Sequence, residues 1–153
     1  MTDTTQLDDE LTVDPATLRA EVREKYAEVA TNPSGAFHFH TGRPLAHHLG
    51  YAEDIVDALP DEAMASFAGV ANPFSAAPIP SGSKVVDLGS GGGFDCFVAA
   101  HLVGSTGHVI GVDMTPAMLE RSRRVADTLG VTNVEFRDGI LEELPVEDGW
   151  ADV

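Results

Sequence analysis

Cysteine occurs only once in this chain, at Cys96, so no disulfide can form within it. Lysine is almost as scarce, with Lys25 and Lys84 alone. Nine Lys and Arg stand against 25 Asp and Glu, and the formal net charge is −16. No basic tract of the kind that follows a phosphate backbone is present. So acidic a surface repels nucleic acid and anionic lipid alike, and neither is expected as a partner. No apolar run is long enough to cross a bilayer, and no basic segment followed by an apolar one opens the chain. The cytoplasm is the expected location. No Cys and His set stands at metal-ligand spacing, so no metal is expected. What remains is a 153-residue chain, 43% hydrophobic, enough for one domain with a sizeable core.

Residues 1–13 are acidic and polar, which predicts a disordered tail. Asp14 followed by Pro15 predicts a helix start, with the acid as N-cap and proline at the first helical position. Leu18, Val22, Tyr26 and Val29 recur at helical spacing and predict one apolar face. Thr31-Asn-Pro-Ser-Gly35 ends that helix, and an aromatic and histidine run, Ala36-Phe-His-Phe-His40, follows. Short helical patterns cover 45–49, 52–59 and 61–67. Residues 69–83, rich in Pro, Ser and Ala, read as a linker. From Lys84 the pattern alternates: strand 84–88, helix 93–103, strand 108–113, a helix capped by Thr115 and opened by Pro116, strand 133–137. Such alternation predicts a parallel sheet with right-handed crossovers. Trp150-Ala-Asp-Val153 looks like the start of a fourth strand. The expectation is a tail (1–13), an N-terminal helical or lid region with linker (14–83), and a nucleotide-type half (84–153).

Chemistry enters at Val85-Val-Asp-Leu-Gly-Ser-Gly-Gly-Gly-Phe-Asp95. An apolar strand ends in an acid, and glycines at 89, 91 and 93 let a ligand approach the backbone closely. The dinucleotide pattern needs glycine at 94, where Phe94 stands. Asp87 beside the loop would repel a pyrophosphate but suits an ammonium group. S-adenosylmethionine (SAM) carries an ammonium, a sulfonium and no phosphate. Asp113 ends the next strand, twenty residues past Gly93, the distance at which an acid holds ribose hydroxyls. The two acids and the loop together point to SAM rather than NAD.

These motifs resemble the class I SAM-dependent methyltransferases, and more closely their arsenite methyltransferase-like group. The closer match rests on 86–97, on Val109-Ile-Gly-Val-Asp-Met-Thr-Pro116, on Val134-Glu-Phe-Arg137 and on Leu144-Pro-Val146. Val22-Arg-Glu-Lys-Tyr-Ala27 and His48-Leu-Gly-Tyr51 also match that group's N-terminal region. The likeness implies an α/β, Rossmann-like class I methyltransferase fold, here a partial parallel sheet with an N-terminal helical or lid segment. It implies that Asp87, Gly89, Ser90, Gly91 and Gly93 cradle the methionine end of SAM. Asp113 would hold the ribose, and Met114 would lie on the adenine face. The turn containing Leu141 and Glu142 would meet the adenine edge, with Glu142, or alternatively Asp138, taking the adenine amine. Tyr26 matches a tyrosine near the sulfonium. Arsenite methyltransferases hold trivalent arsenic with thiolates, two of them upstream of the loop. Here those segments read Ser34-Gly-Ala-Phe-His-Phe-His40 and Phe67-Ala-Gly-Val-Ala-Asn-Pro-Phe74, without cysteine. That weighs against arsenite and leaves another small-molecule methyl acceptor.

Blander readings stand beside these. Cys96 reads as a core residue, and Tyr26 could equally pack in the core. His38 and His40 share a face if extended, either to bind a metal or substrate or to pack in a lid. His47 and His48 read as surface residues, and Arg121, Arg123 and Arg124 as a solvated basic face. No residue identifies the acceptor or a catalytic group, because methyl transfer needs alignment rather than a covalent intermediate. The rival reading is a non-catalytic SAM-binding fragment or regulatory remnant; an NAD-dependent oxidoreductase is disfavoured by Phe94 and Asp87. A sheet stopping at Val153 would leave one edge of its first strand bare, prone to self-association. Such a chain would lack the far wall of an acceptor pocket and be inactive alone. Oligomeric state is left open.

Overall fold

The computed structural model describes residues 14–32 and 40–153. The acidic tail and most of the aromatic and histidine run, His38 included, lie outside them. Asp14 caps the first helix, its carboxylate accepting from the Thr17 amide at 2.9 Å. Helix α1 then runs Pro15–Thr31. Three short helices follow, α2 (Gly42–His48), α3 (Glu53–Ala58) and α4 (Asp61–Ala65). The expected linker contains a single 3-10 turn, Pro73–Ser75.

The second half alternates as its pattern requires: β1 (Lys84–Leu88), α5 (Phe94–Val103), β2 (His108–Asp113), α6 (Pro116–Leu129) and β3 (Val134–Asp138). The strands form one parallel sheet in the order β1-β2-β3, with Asp87 beside Gly111 and Asp113 beside Asp138. Val109, Ile110 and Val112 of the middle strand are almost fully buried, as expected of a strand covered on both faces. Helix α6 contributes Met118, Leu119, Ser122, Val125 and Ala126 to the buried side. The Phe136 ring of β3 reaches under both Gly93 and Gly111, where an added Cβ would lie 2.8 Å from it. The N-terminal helices join α5 through rings: Tyr51 lies 4.9 Å from Phe94 and 5.5 Å from Phe67, centroid to centroid.

Four sequence expectations change. The α1 stripe is not a core face: Leu18 and Tyr26 are 49% and 39% exposed, and only Val29 and Ala30 of the helix are buried. The arginine cluster is not simply solvated. Arg121 is 8% exposed, and its guanidinium donates to Ala30 O (3.1 Å) and Glu62 O (2.7 Å), fastening α1 and α4 to α6. Strand β3 runs Val134–Asp138, one residue later than expected, and the Asn133 side chain before it donates to Ala100 O and Gly104 O. The outer edge of β1 is not bare. Val86 N donates to Val153 O (2.9 Å), and Val153 N returns a bond to Lys84 O (3.2 Å). That alternation is the pattern of a parallel pair.

Arg121→Met keeps an apolar stem of similar length but deletes both donors. Hydrogen bonds to a charged group contribute about 1.5–3 kcal/mol. Urea unfolding should register a loss on that order, and amide exchange in the last turns of α1 should accelerate. Exchange unchanged in α1 would show that its burial against Met118 suffices without the arginine.

Candidate cofactor site

The site forms where β1 gives way to helix α5. Gly89, Gly91 and Gly93 adopt φ of +76°, +52° and +88°, which turns the chain sharply back toward the neighbouring strand. The Gly89 and Ser90 amides donate to Val112 O at 2.8 and 3.0 Å. At the end of β2 the Asp113 carboxylate accepts twice, from Gly91 N (2.9 Å) and from Thr115 N (2.8 Å). The loop is thus held by the strand beside it. At Gly93 a side chain would also meet Phe136 and Ser122, so glycine is needed there for space as well as for backbone angle.

Above the loop lies a cavity of about 360 Å³, within the size range of small-molecule sites. The structure brings most of the expected residues to its wall. Gly89, Ser90 and Gly91 come from the first loop, Asp113 and Met114 from the second, Leu141 and Glu142 from the third, and Tyr26 from α1. Tyr26 therefore faces the cavity rather than the core. Val22 and Arg19, one turn and two turns before it, line the same wall. Arg19 pairs with Glu142 at 2.9 Å, so the residue expected at the adenine edge already has a partner. Asp138 does not reach the cavity. The carboxylates on the wall outnumber the cations, with Asp95, Asp113 and Glu142 against Arg19.

Two expected residues sit elsewhere. Gly93 lies behind the loop as the cap of α5. Asp87 faces a second, apolar cavity between the 73–79 segment and β1. Its carboxylate accepts from the Cys96 thiol at 3.2 Å, and burial raises its pKa. Cys96 is fully buried, as the sequence reading expected, and burial together with Asp87 pushes its thiol well above the ordinary range. It is no nucleophile.

Sequence reasoning missed Asp95. This carboxylate, in the first turn of α5, lines both cavities. It accepts from the Tyr51 hydroxyl at 2.7 Å. Burial pushes its pKa up to about 7, opposed by the Tyr51 hydrogen bond and reinforced by Asp87. An acid one residue into a helix after a glycine loop was the available signal, but it is also where an ordinary N-terminal acid stands. Ser66 was missed too. Its hydroxyl and that of Ser90 are buried without a hydrogen-bond partner, and both residues line the main cavity. Orphaned buried hydroxyls at a cavity wall are what a polar ligand satisfies. Among the described residues, no group of three or more His, Cys, Asp or Glu is arranged to hold a metal ion. His40, His47 and His48 are exposed.

A methyltransferase domain profile matches residues 79–153, the whole of the sheet and its loops. An arsenite methyltransferase of Halobacterium salinarum is 41% identical over 149 residues, covering 88% of this chain and 38% of the relative. An arsenite methyltransferase of Aquipseudomonas alcaligenes is 46% identical over 79 residues, covering 47% of this chain and 23% of that protein. A solved SAM-dependent methyltransferase from Aquifex aeolicus is 29% identical with a TM-score of 0.46, covering 48% of this chain and 39% of that one. The chain thus spans about two fifths of the first relative's length and less of the second's.

The raised Asp95 value has a consequence for stability. Its folded pKa, about 7, exceeds its ordinary value of 3.8, so the folded chain holds the proton more tightly. The contribution is fully present below about pH 4 and is lost as pH rises through about 7. Urea midpoints measured between those values should fall with pH in the wild type. They should flatten in Asp95→Asn; an unchanged slope would assign the titration to Asp87 instead.

Proposed function

We propose that this chain belongs to the class I SAM-dependent methyltransferases, in their arsenite methyltransferase-like group, and that it binds SAM to methylate a small molecule in the cytoplasm. Residues 84–153 form the cofactor-binding part, and 14–83 the lid and linker region. The observation that carries the reading is the charge of the cavity. Asp95 and Asp113 line it, and its one lining cation, Arg19, is already paired with Glu142. A pyrophosphate would meet carboxylates there, whereas an adenosyl ligand bearing an ammonium and a sulfonium meets its opposite charge. Asp113 takes the ribose hydroxyls, Met114 and Leu141 the adenine, and Ser90, through its unpartnered hydroxyl, the methionine end. Tyr26 faces the sulfonium.

Methyl transfer joins the acceptor's lone pair to the methyl carbon as the carbon–sulfur bond breaks. The sulfonium leaves as a neutral thioether, so the protein's task is to align the acceptor and exclude water. The apolar wall of Val22, Phe67 and Ala68 suits an organic acceptor. Arsenite is disfavoured, because trivalent arsenic seeks thiolates and Cys96, the chain's single thiol, is buried against Asp87. A non-catalytic SAM-binding module is the second reading, favoured by the missing cysteines.

Calorimetry should find binding of SAM and of its demethylated product, and none of NAD. Asp113→Ala should weaken SAM by about 1–3 kcal/mol, since it removes charge-assisted hydrogen bonds and frees the Gly91 amide. NAD binding without SAM binding would overturn the reading. Arsenite should bind neither the wild type nor Cys96→Ala; tight binding lost in the variant would restore arsenite as the acceptor.

A further inference from the structure

Asp95 and Asp87 are two carboxylates inside one fold, and among the described residues neither forms an ion pair with Arg, Lys or His. The groups that face Asp95 are known from each side. Tyr51, from the turn after α2, donates to it; Asp87 of β1 repels it. Cys96, its neighbour on α5, spends its thiol proton on Asp87, and Asp113 of β2 bears on that same pair. Arg19 of α1 is on the cavity wall but is held by Glu142.

Tyr51 has a second acceptor in reach. Its hydroxyl lies 2.7 Å from Asp95 Oδ1 and 3.2 Å from Ala71 O. One hydroxyl proton cannot serve both. When Asp95 is ionised, Tyr51 donates to it. When Asp95 is protonated, the acid can donate to the tyrosine oxygen while the hydroxyl turns to Ala71 O. Both protonation states are therefore satisfied without moving a ring that is 5% exposed and packed among Phe67, Phe74 and Phe94. The cavity side of Asp95 is left open, beside the unpartnered hydroxyls of Ser90 and Ser66.

We propose that Asp95, held by Tyr51, is the receptor for the ammonium of the cofactor's methionine end, and that this ammonium replaces a proton the free protein keeps there. The assignment rests on the SAM reading above but moves the ammonium from Asp87, which lies behind the loop, to Asp95. The exchange balances: protonated Asp95 and the ligand's ammonium give a carboxylate–ammonium pair and one proton, which goes to solvent. Burial, which holds the proton on Asp95 in the free protein, favours a cation in its place.

The test is calorimetry near pH 6 in two buffers of different ionisation heat, using SAM, S-adenosylhomocysteine and methylthioadenosine. The first two carry the ammonium and should release close to one proton; the third lacks it and should release none. SAM affinity should rise about tenfold per pH unit up to about 7 and level off above it. Asp95→Asn should abolish the release. Tyr51→Phe removes the donor that favours the ionised acid, so the midpoint of the pH profile should move upward. This second variant keeps the idea testable should the first fail to fold. SAM binding without proton release, or release that persists in Asp95→Asn, overturns the inference alone. A pH midpoint in Tyr51→Phe that stays put or moves downward does the same. Failure of all three ligands to bind the wild type overturns the SAM reading and this inference with it.

Discussion

Two backbone amides converge on one carboxylate, and the site depends on that convergence. Asp113 ends β2, and its two oxygens accept from Gly91 and from Thr115. The first bond ties the glycine loop to the neighbouring strand; the second starts helix α6. A loop with three left-handed glycines has little side-chain packing to define it, so its shape must come from main-chain partners. Val112 O and Asp113 supply them. Because β1 and β2 run parallel and in register, both loops open at the same end of the sheet. The cavity follows from that alignment, as ligand sites do at the carboxyl ends of strands in such sheets.

The electrostatics of the cavity set its ligand class more sharply than its shape does. Apolar walls and a glycine loop fit many nucleotides. Three carboxylates on the wall, with the lining cation Arg19 paired, fit few of them. The N-terminal region supplies the rest of the cavity. There the segment from Ser66 to Gly69 and the inner side of α1 form the wall away from the sheet. Neither holds a thiol.

Where the sequence was legible, local chemistry decided. Lys84–Leu88 and His108–Asp113 coincide with the expected strands, because an apolar run closed by an acid and flanked by turn residues has few other readings. Asp14-Pro15 opened α1 as expected, because capping needs only the two residues themselves. Most of the expected cofactor residues lie at the cavity for a related reason: they belong to loops whose positions the sheet dictates. What escaped depended on partners far along the chain. Arg121 is buried because carbonyls 91 and 59 residues away accept from it. Asp95 matters because Tyr51, 44 residues earlier, donates to it. The α1 stripe looked like core because helical spacing reports a face but not what covers it.

The Phe136 ring has a consequence of its own. It fills the space above Gly93 and Gly111, and the Cys96 sulfur borders the same space, 2.7 Å from where a Gly111 side chain would begin. Four positions, on β2, on β3 and on α5 with its cap, therefore share one fixed volume. Overpacking a dense interior is resisted as firmly as emptying it. Substitutions here are linked in compensating pairs: a methyl gained at 111 is tolerated only with atoms given up at 136 or 96. One of the glycines in the ligand loop thus answers to a ring on the far strand, and drift in the hydrophobic core and drift in the cofactor loop are coupled through it.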